Sequence, residues 1–136
     1  MNIDIEIAGT PIPQGSKTPW GSEANKHTKP WRETVARAAA ERMNGRGLFD
    51  GPVDVEITFI FARPKHHYGT GRNQGVLKPN APKYMSGMPD LDKLCRAIGD
   101  ALQGSMVRND SQVVRLSAVK IYGERGCCYL RIRELV

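Results

Sequence analysis

Pro89-Asp90-Leu91-Asp92 sets two carboxylates two residues apart, and a third, Asp110, follows eighteen residues after Asp92 in Asn109-Asp110-Ser111-Gln112. Carboxylate oxygens are hard, anionic ligands, and three of them can hold Mg²⁺ against a phosphate. They stand out because the chain is basic, with 20 lysines and arginines against 14 aspartates and glutamates, a net charge of +6 and a pI near 9.5. Gathering like charges raises their mutual repulsion, and a bound cation relieves it. The same acids also suit structural duties. Asp90 fits a helix N-cap, Asp92 a first helical turn facing the dipole, and Asp110 an Asx turn.

The positive charge is concentrated elsewhere. Residues 10 to 32 contain Lys17, Lys26, Lys29 and Arg32 against Glu23, and residues 62 to 88 contain Arg63, Lys65, Arg72, Lys78 and Lys83 with no acid. The rest of the chain keeps eleven basic and thirteen acidic residues, so the cationic character belongs to two irregular segments. Such segments favour a polyanionic partner. Tyr68, Tyr84 and Trp20 lie among these bases, where an aromatic face could stack on a base or pin the loop to the core.

Composition excludes several classes. With 136 residues and 40% apolar content, the chain is expected to fold as one soluble domain spanning 1–136. No apolar run reaches membrane-spanning length, and Asp4 and Glu6 interrupt the first ten residues, which argues against a signal peptide. Cys95, Cys127 and Cys128 form neither a disulfide framework nor paired zinc knuckles, which suggests a reducing, cytoplasmic setting. His27, His66 and His67 provide no His-x-x-x-His pair, which argues against a zinc enzyme.

Periodicity orders the elements that must position the acids. Ile3, Ile5 and Ile7 alternate with Asp4 and Glu6 as a strand. Gly- and Pro-rich chain then leads to Pro30, which opens a helix running to about Met43, with Trp31, Val35, Ala38 and Ala39 on its apolar face. Val53, Val55, Ile57, Phe59 and Phe61 predict a second strand, stopped by Pro64. The stretch from Ala62 to Met88 has no sustained period, and a loop this long in a small domain is usually functional or disordered. Leu91, Leu94, Cys95, Ile98 and Leu102 predict a helix that ends at Gly104. Val113 to Tyr122 and Cys127 to Arg133 predict two strands joined by the hairpin-length link Gly123-Glu124-Arg125-Gly126. The order β-α-β-α-β-β predicts an α/β (α+β) domain with a mixed four-stranded sheet, two flanking helices and long basic loops.

A helix of about 13 residues is roughly 20 Å long. Six extended residues from Ser105 to Asp110 would return about 20 Å, enough to bring Asp110 beside the helix start.

Asp90-Leu91-Asp92-Lys93-Leu94, Asp100-Ala101-Leu102, Asp110-Ser111-Gln112-Val113-Val114 and Lys120 together resemble the signature of the RusA family of Holliday junction resolvases. The segment from Gly9 to Lys17, Gly-Thr-Pro-Ile-Pro-Gln-Gly-Ser-Lys, is similar to the opening of phage-type members. The resemblance implies an α/β homodimer that binds four-way DNA junctions and nicks two strands symmetrically with Mg²⁺ or Mn²⁺. It carries the metal-binding carboxylates over to Asp90, Asp92 and Asp110, with Asp100 as a secondary acid. It also marks a departure. Where the bacterial archetype has a functionally important lysine, four residues after the second motif aspartate, this chain has Arg96. Arginine keeps the charge and grips phosphate bidentately, but it cannot trade a proton. Lys93 could supply an ammonium, and Arg96 could equally pair with Asp92 or Asp100 along the helix.

The expected site therefore comprises Asp90, Asp92 and Asp110 as metal ligands, Arg96 or Lys93 on the phosphate, and Lys17, Arg63, Lys65, Arg72, Lys78 and Lys83 as DNA contacts. Two other readings share these residues. One is a nuclease for other branched DNA, and the other is a non-catalytic DNA-binding module whose acids only cap a helix.

Overall fold

The alternation from Val53 to Phe61 becomes the middle of the core in the computed structural model, which describes residues 2–15 and 26–136. Strand β2 (Val53–Ala62) buries Val53, Val55, Ile57, Phe59 and Phe61. The other strands are β1 (Asn2–Ala8), β3 (Val113–Gly123) and β4 (Cys127–Glu134), in the spatial order β1-β4-β2-β3. A strand with a continuous apolar face gains most where it is paired on both sides, and β2 has β4 antiparallel on one side and β3 parallel on the other.

Two helices cover one face of the sheet. Helix α1 (Thr28–Met43) buries Trp31, Val35, Ala39 and Met43 at four-residue spacing, and the hydroxyl of buried Thr28 donates to the Pro13 carbonyl at 2.9 Å. Helix α2 (Leu91–Leu102) buries Leu94, Ala97, Ile98, Ala101 and Leu102 and leaves Leu91 and Cys95 half-buried. The opposite sheet face is polar, with Asp4, Glu6, Glu56, Thr58, Tyr129 and Arg131 around a groove of about 410 Å³. On that face, buried Asp54 ties three strands together, with Arg133 at 2.6 Å and Arg115 at 3.7 Å. The expected class and element order are both present: one mixed four-stranded sheet and two helices in the order β-α-β-α-β-β.

Two local expectations are overturned. β3 and β4 form no hairpin, because the three-residue link 124–126 steps across the end of β2 and delivers the chain to its other edge. The link is pinned by Arg63 N–H to the Gly123 carbonyl at 3.0 Å and by Gly9 N–H to the Gly126 carbonyl at 3.2 Å. A Cβ at Gly123 would lie 2.6 Å from the Ile60 side chain, so the crossing needs glycine there. After α2, moreover, the chain does not extend. The Leu102 carbonyl accepts from Ser105, Met106 and Val107, Gly104 adopts φ +88°, and Val107 pairs with Phe49. This turn consumes the residues that an extended return required.

The stretch from 62 to 88 is ordered by its own hydrogen bonds. Short 3-10 turns at Lys65–His67 and Gly71–Asn73 bend it back on itself, with Tyr68 opposite Leu77 and Gly69 opposite Gln74. It then runs along the outer edge of β3, where Tyr122 N–H donates to the Lys83 carbonyl and Met85 N–H to the Lys120 carbonyl. Among the described residues no helix is long and apolar enough to cross a membrane.

Candidate metal-dependent site

Asp90 occupies the N-cap position of α2, yet its side chain caps nothing. Its backbone carbonyl accepts from Leu94 at 3.1 Å, which leaves the carboxylate uncommitted. Lys120 fixes the approach to this residue by donating from Nζ to the Gly87 carbonyl at 2.6 Å and to the Pro89 carbonyl at 2.8 Å. Asp92 lies in the first turn of α2, where the helix dipole favours an anion. Both aspartates are exposed.

Asp110 is positioned from the other end of the fold. It begins a 3-10 turn (Asp110–Gln112) whose capping box joins the Asn109 side chain to Ser111 N–H at 2.9 Å. Gln112 completes the box, its Oε1 accepting from the backbone N–H groups of Arg108 and Asn109 at 2.8 and 3.0 Å. Its Nε2 donates to the carbonyls of Phe49 and Gly51 at 2.7 and 2.9 Å. All four hydrogen-bonding positions of the amide are used, so the turn carrying Asp110 is clamped to the strand entry at 49–51. In the sequence Gln112 shows only as part of a signature. The Asn-x-x-Gln spacing is the signal that points to its role.

Asp92, Cys95, Arg96, Gly99, Asp100 and Asp110 share one groove of about 350 Å³, walled on the sheet side by Val55, Ile57, Val113 and Leu116. Asp90 is not among its lining residues, and Asp92 and Asp110 enter it from opposite ends of α2. Among the described residues, the side chains of Asp90, Asp92, Asp110 and Arg96 make no hydrogen bond or ion pair, so Arg96 is paired with neither Asp92 nor Asp100. Asp100 is committed. It accepts from Gln14 Nε2 at 2.5 Å, while Gln14 Oε1 accepts from Arg32 at 3.0 Å and Gln14 N–H donates to the Lys93 carbonyl at 3.0 Å. Buried Gln14, which shows in the sequence only as part of the Gly9–Lys17 segment, thus fastens the amino-terminal loop to α2.

No three His, Cys, Asp or Glu side chains among the described residues lie close enough to form a complete metal cage. Mg²⁺ does not require one, since it commonly binds through one or two carboxylates, its own waters and substrate phosphates. The donor set suits such an ion. Burial, together with the charge of Asp92, raises the Cys95 thiol above its ordinary range, so the sulfur in the groove stays protonated and the anionic donors are carboxylates. Burial also pushes Cys128 up to about 12.

The candidate DNA contacts divide by exposure. Lys65, Arg72, Lys78 and Lys83 are exposed on the 62–88 loop, and Lys83 lies 5.4 Å from the ring centre of exposed Tyr84. Arg63 is half-buried, donating to the Pro82 carbonyl at 2.6 Å with its guanidinium 5.5 Å from the Tyr122 ring centre. It therefore shapes the loop from within. Lys17 and Trp20 lie outside the described residues.

His67 is the loop's internal pivot, buried with its ring edge-on to Tyr122 at 4.7 Å and its carbonyl receiving Lys78 N–H. Burial first, then His66, Arg63 and Lys78, lower its pKa below the ordinary 6.5. The folded loop therefore prefers the neutral ring, and its stability falls as pH drops below 6.5 toward the depressed folded value. Amide protection at Gly69 and Lys78, corrected for intrinsic exchange, should decline between about pH 7.5 and 5.5, and His67→Gln should remove that decline. Equal protection across the range would dismiss the pivot.

Known proteins agree with the motif. The sequence matches the family model for endodeoxyribonuclease RusA over residues 9–133. It is also 27% identical to the uncharacterized protein YqaN of Bacillus subtilis (strain 168), an alignment covering 98% of this chain and 96% of that one. With nearly its whole length matched, this chain belongs to the RusA endodeoxyribonuclease family.

Proposed function

We propose that this protein is a Mg²⁺-dependent endodeoxyribonuclease that works as a homodimer on four-way DNA junctions, making paired symmetric nicks in DNA recombination and repair. Mn²⁺ is the alternative ion. The observation that carries the reading is a set of uncommitted carboxylates, Asp92 and Asp110 in one groove and Asp90 at its helix cap, in a chain of this family.

A divalent cation at these oxygens would supply charge neutralisation on the phosphate and an activated water for its hydrolysis. The protein provides the rest. Asp90, Asp92 and Asp110 offer anionic oxygens with no partner to displace among the described residues. Arg96, exposed in the same groove, holds a phosphoryl oxygen through its fork of N–H donors but does not shuttle protons. Lys93 is half-buried at the start of α2, its carbonyl taken by Gln14, and it is the ammonium available for the leaving oxygen.

The basic loop leads directly into Asp90 and is the proposed cradle for the DNA arms. Neutralising Lys78 or Arg72 should weaken binding and lower the slope of log affinity against log salt by about 0.9 for each phosphate that is no longer neutralised. An unchanged slope in a salt titration removes that residue from the interface. Arg63→Ala should instead loosen the loop, seen as faster proteolysis between residues 67 and 78.

The functional reading is tested by giving the protein equal amounts of linear, forked and four-way DNA in Mg²⁺. Preferred paired cutting of the four-way substrate is expected. Preference for forks or flaps would reassign the substrate, and tight binding without nicking would make the protein a binding module.

A further inference from the structure

The chain between β2 and Asp90 builds an arm. The His67 carbonyl accepts from Lys78 N–H at 2.9 Å, Gly69 N–H donates to the Val76 carbonyl at 2.9 Å, and Tyr68 stands opposite Leu77, so residues 67–78 form a short antiparallel ribbon. Asn73 N–H on the Thr70 carbonyl and Gln74 N–H on the Gly71 carbonyl, at 3.0 and 3.1 Å, close its tip. The closure is tight. A Cβ at Gly69 would lie 2.7 Å from the Asn73 Cβ and 2.9 Å from its carbonyl oxygen, so only glycine lets the two sides meet there. Gly75 leaves the tip at φ +82°, a conformation that L side chains rarely adopt.

This folding shapes a cavity of about 450 Å³ lined by Lys65, Tyr68, Thr70, Gln74 and three glycines. Among the described residues, the side chains of those four make no hydrogen bond or ion pair. An uncommitted ammonium, hydroxyl and amide beside an aromatic ring match the parts of one nucleotide. Lys65 suits a phosphate, Tyr68 a base face, and Thr70 and Gln74 the donors and acceptors of a base edge. The glycines serve the same end, because a planar base can approach backbone that carries no side chain. Residues 62 to 88 hold five lysines and arginines and no acid, so the surrounding field favours a polyanion. Exposed Val76 and Leu77 on the same arm add apolar surface, which suits bases more than phosphates.

A duplex presents phosphates and groove edges but keeps its base faces stacked, so only a nucleotide out of the stack can reach the ring of Tyr68. Such nucleotides occur where strands part. The position of the arm agrees. His67 packs edge-on to Tyr122, and two strand residues, about 7 Å, separate Tyr122 from Lys120, whose Nζ donates to the carbonyls of Gly87 and Pro89 just before Asp90. An ordered path therefore joins the cavity to the start of α2.

We propose that the 67–78 arm holds one unpaired nucleotide of the DNA, with its base on the Tyr68 ring, its phosphate on Lys65 and its base edge at Gln74. This deepens the functional reading above and rests on DNA being the substrate. The arm thereby recognises the parting of strands rather than the duplex arms themselves.

Two four-way junctions test the assignment, one fully paired and one with a single unpaired thymidine at the branch point, titrated at equal salt. The parent should bind the second about tenfold more tightly, on the scale of one stacked base. Tyr68→Leu should reduce that ratio to below about twofold, and Gln74→Leu, which keeps size but removes the amide, to about threefold. Amide protection at Gly69 and Lys78 shows whether the arm is folded in each variant, and Gln74→Leu should retain it in full. With 5-iododeoxyuridine in place of the unpaired thymidine, irradiation should cross-link the DNA to the peptide carrying Tyr68. Equal affinity of the parent for both junctions, a cross-link to Tyr84 instead, or a preference that both folded variants keep overturns the nucleotide site and leaves the nuclease reading standing. Displacement of the junction by excess deoxythymidine monophosphate would make this a site for free nucleotides and also overturns the proposal. Preference and cross-link in a parent that nicks no branched DNA would instead sink the nuclease reading alone.

Discussion

Asp92→Asn is expected to lower Mg²⁺-dependent nicking about 10²- to 10³-fold, equivalent to roughly 3 to 4 kcal/mol of lost transition-state stabilisation. The substitution keeps size and polarity and removes one anionic oxygen donor. Asp92 is exposed and makes no internal hydrogen bond among the described residues, so its removal should leave the melting temperature within about 2 °C of the parent, since substitutions away from packed or paired groups seldom matter to stability. The two results together are diagnostic. A structural aspartate at a helix start would give the opposite pattern, a loss of stability of about 0.5 kcal/mol from the dipole with no loss of rate. Single-turnover nicking rates and thermal unfolding of the same preparation measure both. An unchanged rate in saturating Mg²⁺ removes Asp92 from the chemistry.

Gln112→Ala should act through stability and geometry at once. It deletes four hydrogen bonds and strands the carbonyls of Phe49 and Gly51 at a part-buried seam. At about 1 kcal/mol each, discounted for the two bonds that water can replace, the cost is about 2 to 3 kcal/mol, a fall in melting temperature of roughly 8 to 12 °C for a domain this size. The clamp is also what places Asp110. Nicking at a temperature where the variant is fully folded should therefore fall by at least about tenfold, because displacements near 1 Å at a reacting centre cost that much or more. Gln112→Glu tests the donors specifically. It keeps the acceptor for Arg108 and Asn109 but turns a carboxylate oxygen toward the carbonyls of Phe49 and Gly51, and should be at least as damaging as Gln112→Ala in both measurements. Full activity in Gln112→Ala would mean that Asp110 needs no clamp or has no catalytic part.

Local pattern carries much of this fold. β2 and α2 are readable because their apolar residues recur at the periods of a strand and a helix, and the five of β2 and Leu94, Ile98 and Leu102 of α2 are buried. Neighbours in the sheet are not readable. A four-residue link with two glycines fits a hairpin as well as a step across β2, and the choice is made by the pairing preference of β2 on both its edges. The chain after α2 departs from its expected path for a similar reason. Gly104 announces the helix end, but the gathering of three N–H groups on the Leu102 carbonyl and the pairing of Val107 with Phe49 are tertiary events. At the site, residue types are legible and their internal ties are not. Arg63 reads as one more loop cation, yet it packs on Tyr122, and Gln14 reads as loop although it joins Arg32, Asp100 and Lys93.

That the acidic groove of this chain performs metal-dependent strand cleavage is tested most directly by one measurement: parent protein on an end-labelled four-way junction, resolved strand by strand, in Mg²⁺ and again with the cation chelated. The account predicts nicks at symmetric positions on two opposing strands in Mg²⁺ and none after chelation, with binding retained in both. Equal cleavage after chelation, or retained binding with no nicks in fresh Mg²⁺ or Mn²⁺, would contradict it.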